Sequence, residues 1–131
     1  MAASLRIEVL TSLSGVDPEA CNALVGADDP FLEHEFLSSL EASRVIGRDT
    51  AWEMRFVTAF DGATPVAALP FFLKWDSYGE FVFDWAWADA YQRHGLEYYP
   101  KLLDAVPFTP VPGPRLLSRD AIGRRVLLRA I

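Results

Sequence analysis

The chain has 131 residues, 51% of them hydrophobic, 13% aromatic and 23% charged, with a net charge of −6 from 12 basic and 18 acidic residues. That length is one domain at most, and it is enough to bury about two thirds of the unfolded surface. The apolar content excludes a disordered chain, the single Cys21 excludes a disulfide scaffold, and no apolar run reaches the ~18 residues of a membrane span.

The N-terminal MAASLRIEVL lacks the long apolar stretch of a secretion signal, and together with a free cysteine this sets a cytoplasmic expectation. Residues 5–10 (LRIEVL) alternate as a first strand. Asp17-Pro18 and Asp29-Pro30 each place a capping carboxylate before a proline at the first helical position, where a missing N–H is harmless. The first of these helices is expected to stop at Gly26. The second is expected over residues 30–42, with Phe31, Leu32, Phe36, Leu37 and Leu40 on one face. Residues 1–41 hold eight acids (Glu8, Asp17, Glu19, Asp28, Asp29, Glu33, Glu35, Glu41) against Arg6 alone.

Residues 54–60 (MRFVTAF) and 64–74 (TPVAALPFFLK), joined by Asp61-Gly62, read as an antiparallel hairpin, with Pro65 and Pro70 marking an edge or a bulge. Residues 80–85 (EFVFDW) read as a third strand, with Phe81, Phe83 and Trp85 on one side and Glu80, Val82 and Asp84 on the other. A helix over 86–94 ends at Gly95. Pro100 and Pro107 bracket a short strand in 101–106 (KLLDAV). Residues 107–114 (PFTPVPGP) form a stiff loop, and 118–129 a last helix with Ser118 near its cap. Residues 115–131 carry five arginines (Arg115, Arg119, Arg124, Arg125, Arg129) against Asp120. Such a run is the solvated face of a helix, and the overall negative charge argues against DNA binding.

The blocks SYGEFVFDWAWADAY (77–91) and GLEYYPKLLDAVPFTPVPGPRLL (95–117), with PFLEHEFLSSLEAS (30–43) upstream, are distinctive. Over roughly residues 29–117 the chain resembles the predicted N-acyltransferases called peptidoglycan biosynthesis/recognition proteins, which are related to GNAT acetyltransferases and Fem-type aminoacyltransferases. The resemblance implies an α/β (α+β) fold, a GNAT-like mixed sheet with flanking helices. Asp76-Ser77 stand where family members carry His-Ser, which removes a histidine role there. Family members are also longer, with two such units in tandem. Residues 1–131 therefore read as a single partial domain without its final strands, a truncated or split product.

By resemblance the donor is acyl-CoA (acetyl-CoA) or an aminoacyl-tRNA, and the acceptor a small-molecule or peptide amine. The turn that holds a cofactor pyrophosphate in GNAT-like folds maps to 84–89 (DWAWAD), which assigns Trp85 and Trp87 to cofactor binding, although it lacks a glycine-rich loop and carries Asp84 and Asp89. The plain alternative makes both tryptophans core aromatics. Acylation of an amine needs a base and a proton donor. Glu80 and Asp84, four apart on a strand, lie on one face about 13 Å apart, too far to share a proton. Glu80 is the preferred base, against a simple pairing with an arginine. Tyr98 and Tyr99 are candidate phenolic acids, Tyr99 the chosen one, against a role in packing. Arg115, after the proline loop, is a candidate anion contact.

His34 sits among helix acids, and His94 precedes a helix-stopping glycine. No Cys/His spacing resembles a zinc site, so no metal is expected. Cys21 reads as a buried apolar residue, and Ser77 lacks the His–acid company of a hydrolase nucleophile. Two functions are open: an N-acyltransferase, or a truncated non-catalytic fragment that binds a partner. Either a homodimer or a missing C-terminal unit would cover its unfinished sheet.

Overall fold

The expected hairpin forms the middle of the molecule: β2 (Glu53–Asp61) and β3 (Thr64–Lys74) pair antiparallel across the turn at Gly62. The computed structural model describes residues 4–27 and 29–131. Residues 1–3, which open the segment read against a secretion signal, and Asp28, one of the N-terminal acids, lie outside the described residues. β1 (Arg6–Leu10) adds to the free edge of β2. On the other side of β3, two short strands share one edge: β4 (Lys101–Leu103) along Phe72–Lys74 and β5 (Leu117–Ser118) along Ala67–Ala68. Pro70 falls in the gap between them, and the β2–β3 register slips beside Pro65, as a residue without an N–H disposes it to do.

The class is α+β, a five-stranded sheet with flanking helices. Among the described residues every pairing is antiparallel, so the sheet is not the mixed one expected. The chain leaves β3 at Lys74 and re-enters opposite it at Lys101, which makes residues 75–100 a wide hairpin excursion rather than a parallel crossover.

Alternation along β2 and β3 sends side chains to two cores. Met54, Phe56 and Phe72 meet Trp52, Leu13, Leu37 and Ile46 on one face. Ala59, Ala67 and Leu69 meet Leu127 on the other. The first face is covered by α2 (His34–Ala42), and α1 (Pro18–Asn22) packs beside α2. Asp17 caps α1 as expected, accepting from Ala20 N at 3.1 Å, but α1 ends well before Gly26. The single helix expected over 30–42 is broken: Pro30–Leu32 make one 3-10 turn, Glu33 is extended, and Asp29 caps nothing with its side chain. Asn22 does the capping from a distance, accepting from His34 N at 2.7 Å and donating to Glu35 at 2.8 Å.

The second face is covered by α4 (Ala121–Ala130), capped by Asp120 on Gly123 N at 2.8 Å rather than by Ser118. Gly123 and Leu127, one turn apart, face the sheet. A Cβ on Gly123 would lie 3.0 Å from the Ala67 Cβ and 3.3 Å from the Val66 carbonyl, so the helix sits as close as a glycine permits. Arg124, Arg125 and Arg129 are exposed, as the charge run implied. Leu127 is fully buried. Leu127→Ala should lower unfolding free energy by about 2–5 kcal/mol, read from urea denaturation; a loss under about 1 kcal/mol would mean that α4 is not anchored this way.

Candidate functional site

Register places Lys74 of β3 directly opposite Lys101 of β4, and directly paired residues on antiparallel strands share a face. Two ammonium groups side by side repel, and Lys74 is completely buried. The compensation comes from the segment after β3. Gly79, at φ +79°, turns the chain back so closely that a Cβ there would lie 2.6 Å from the Phe108 ring. The turn delivers Glu80 between the lysines: Oε1 is 2.6 Å from Lys101 Nζ and Oε2 3.2 Å from Lys74 Nζ. Lys74 also donates to the Tyr78 carbonyl and lies 4.1 Å from the centre of the Trp52 ring. Lys101 is completed by Asp84 Oδ2 at 2.5 Å and Ser77 Oγ at 3.0 Å.

This arrangement replaces the strand expected over 80–85. No strand forms there; the residues bend, and α3 (Trp85–Arg93) begins at once. An extended strand would hold residues 80 and 84 about 13 Å apart, whereas here both carboxylates grip one ammonium. Charge neutralisation has overridden local β-propensity. Glu80 pairs with two lysines, not with an arginine.

Tyrosines extend the network. Tyr98 donates to Asp84 Oδ2 at 2.6 Å, and the Tyr99 hydroxyl lies 2.6 Å from Ser77 Oγ. Burial pushes the Asp84 carboxyl up, but the Lys101 ammonium and the nearby Ser77 and Tyr98 hydroxyls outweigh it and bring it down to about 2. The same bond to Asp84, with burial, pushes Tyr98 up to about 12, which holds its proton firmly. For Lys101, burial alone would lower the pKa; Asp84 and Glu80 raise it instead. Tyr99 and Glu80, the candidate acid and base, are thus joined through Ser77 and Lys101.

Beside this network lies a cleft of about 490 Å³ between the 79–82 turn and the 103–115 loop. Trp52, Leu103, Val106, Pro110 and Val111 give it apolar walls; Glu80, Asp104 and Arg115 bring charge. Asp104 carries no signal in the sequence beyond that of an acid between apolar residues and a proline-rich loop. Burial pushes its carboxyl up to about 7 against the pull of Arg115. Arg115 donates Nη2 to the Val111 carbonyl at 2.6 Å.

Trp85 lines a separate hollow of about 500 Å³ with Tyr98, Tyr99, Asp89 and Glu97. Trp87 lines neither. Both tryptophans are exposed, at 43% and 67%, which corrects their reading as core aromatics. They lie in the first turn of α3, so the sheet never covers them. The start of α3 does not suit a pyrophosphate. Its Trp87 and Ala88 N–H groups already donate to the Asp84 carbonyl, and Asp84 and Asp89 flank it. Arg115 lies in the cleft, away from that helix start.

The His94 ring nitrogen Nδ1 is 2.7 Å from the Ala90 carbonyl at the helix end, and His34 is half-buried with Nε2 unpartnered. Cys21 is half-buried, and burial raises its thiol pKa. Among the described residues no group of three or more His, Cys, Asp or Glu is placed to hold a metal ion, and no helix is long and apolar enough to cross a membrane.

An α+β domain with a buried lysine–carboxylate network beside an apolar cleft defines the class. The sequence matches the FemAB-like family model, described as peptidoglycan biosynthesis/recognition, over residues 12–131, and the chain belongs to that family. No curated protein and no solved structure matches the chain.

Asp84 offers a test of the network. Its folded pKa of about 2 lies below the ~3.9 of an unperturbed Asp. Its ionised form is thus favoured by the fold, giving stability that is present above about pH 4 and lost as pH falls toward 2. Stability measured from pH 2 to 6 should fall more steeply below about pH 4 in the wild type than in Asp84→Asn; parallel curves would show that Asp84 is not held by Lys101.

Proposed function

We propose that this chain transfers an acyl or aminoacyl group to an amine in peptidoglycan-related chemistry, as a GNAT-like N-acyltransferase. The observation that carries this reading is the hydrogen-bonded path Tyr99–Ser77–Lys101–Glu80 in a FemAB-like chain. The path runs from the hollow beside α3 to the wall of the apolar cleft. Amide formation needs a base and a proton donor, the two roles given to the ends of this path. The amine nitrogen bonds to the donor carbonyl carbon and loses a proton, while the donor's C–S or C–O bond breaks and its sulfur or oxygen gains one. Glu80 takes the first proton and Tyr99 supplies the second, with Lys101 and Ser77 holding both in place.

The donor is an acyl thioester such as acetyl-CoA or an aminoacyl-tRNA ester. The exposed faces of Trp85 and Trp87 suit stacking on its base. Because the start of α3 is a poor phosphate cradle, Arg115 is assigned as an anion contact for the donor.

The test is amide formation, followed by mass spectrometry, with either donor and a peptide bearing a free side-chain amine. Tyr99→Phe keeps the ring and removes the hydroxyl, so it should lower the rate on the order of 10²-fold with little change in KM. A full rate in that variant removes Tyr99 from proton transfer, and no product with either donor removes the reading.

A second reading, an interaction module, is favoured by a separate observation. Between the network and α3 the chain exposes Tyr78, Phe81, Val82 and Phe83, Val82 at 87%. Apolar surface gathered in this way marks contact with another protein. If a second copy covers it, sedimentation should show a dimer that Val82→Asp with Phe83→Asp converts to monomer. A wild type that stays monomeric at ~100 μM would exclude self-association through this face.

A further inference from the structure

Three buried side-chain atoms among the cleft's lining residues make no hydrogen bond: Asp104 Oδ1, Trp52 Nε1 and Glu80 Oε2. Glu80 Oε2 still has Lys74 Nζ at 3.2 Å, which leaves Asp104 Oδ1, an acceptor, and Trp52 Nε1, a donor, without a hydrogen bond or an ion pair. Buried polar groups are paired in the great majority of structures, and an unpaired one costs its full desolvation. The charges nearby do not answer Asp104. Glu80, also on the cleft wall, is of the same sign and already held by Lys101 and Lys74. Arg115 donates Nη2 to the Val111 carbonyl and Nη1 to the Pro114 carbonyl, and leaves Asp104 Oδ1 without a hydrogen bond. Asp104 thus has no hydrogen-bond donor, and a cationic donor would also answer its charge. Its volume of about 490 Å³ falls in the range of small-molecule sites, and its walls are largely aliphatic.

We propose that this cleft binds a primary amine carried on an apolar chain, with the Asp104 carboxylate as partner of the ammonium. The site chemistry discriminates three ways. A neutral apolar molecule fills the walls but leaves Asp104 unpaired. A carboxylate meets Arg115 but is repelled by Asp104 and Glu80. An alkylammonium satisfies both the walls and the orphan acid. Asp104 titrates near neutrality, at about 7. Arg115 favours its ionised form against the effect of burial, and Glu80 is the other charged group on the cleft wall. Ammonium binding needs the ionised form, so affinity rises with pH through that value.

This inference rests on the reading of an amine acceptor, but it is tested by binding with no donor present. Transfer without Asp104-dependent binding overturns the inference alone, and binding without transfer overturns the acyltransferase reading alone. The probes are n-hexylamine, n-hexanol and hexanoate, titrated by calorimetry and by the indole N–H resonance of Trp52. Hexylamine should bind saturably, shift that resonance, and bind about tenfold more tightly at pH 8 than at pH 6. Asp104→Asn should weaken hexylamine at pH 8 by about tenfold or more, abolish the pH dependence and leave hexanol unchanged. The wild-type pH dependence stands independently of how the variant folds. Hexanol or hexanoate binding as tightly as hexylamine, affinity flat from pH 6 to 8, or Asp104→Asn binding hexylamine as the wild type does would each overturn the proposal.

Discussion

The carboxylate of Glu80 between two lysines is the contact on which the rest of the site depends. β4 can pair with β3 in the observed register only if Lys74 and Lys101 face each other, and Lys74 is wholly buried. An ammonium in such a place costs several kcal/mol unless an anion meets it. Glu80 meets both, and to do so the chain must reverse at Gly79, bend through residues 80–84 and start α3 where it does. Asp84 and Ser77 then close around Lys101, and Tyr98 and Tyr99 close around them. One electrostatic requirement thus sets a strand pairing, a turn, a helix start and two tyrosine positions.

The same requirement shapes the cleft. With residues 79–82 turned back, they become one wall, and the proline-rich segment after β4 becomes the other. Two aspartates close to Lys101 in sequence or space end up in opposite conditions. Asp84 touches the ammonium and stays ionised down to about 2. Asp104 follows β4 into the apolar wall and is pushed up to about 7. Environments that drive two carboxylates apart in this way are how a site separates a structural charge from one that exchanges protons near neutrality.

The family's distinctive segment and the site coincide. Ser77, Glu80, Asp84, Tyr98, Tyr99, Lys101, Asp104 and Arg115 all fall within residues 77–117, and only Lys74 and Trp52 are supplied by the hairpin and its approach. The motif is therefore a folding unit as much as a chemical one, since most of its polar residues satisfy one another. The aromatics it leaves outside, Phe81, Val82's neighbour Phe83, Trp85 and Trp87, have no place in either core and stand at the surface. That surplus is what distinguishes this stretch from an ordinary connection.

The hairpin, β1, α3 and α4 were legible because each is signalled locally: alternation of two, a Gly62 turn, a Gly95 stop, an apolar stripe on α4. The family was legible from long, low-degeneracy stretches of residues. The break at Glu33 was not, because the group that caps α2 is Asn22, 12 residues from the His34 N–H it receives. Nor was the loss of the strand at 80–85, since EFVFDW alternates well and is undone by a lysine 21 residues beyond Glu80. Asp104 was passed over because its sequence neighbours show nothing of the loop that folds over it. Periodicity and turn chemistry act within a few residues, so the sequence alone determined β1, the β2–β3 hairpin, α3, α4 and the family they belong to. Which charges are paired and which are left buried without a partner is decided by groups far apart in the chain, and only the tertiary structure brings those together.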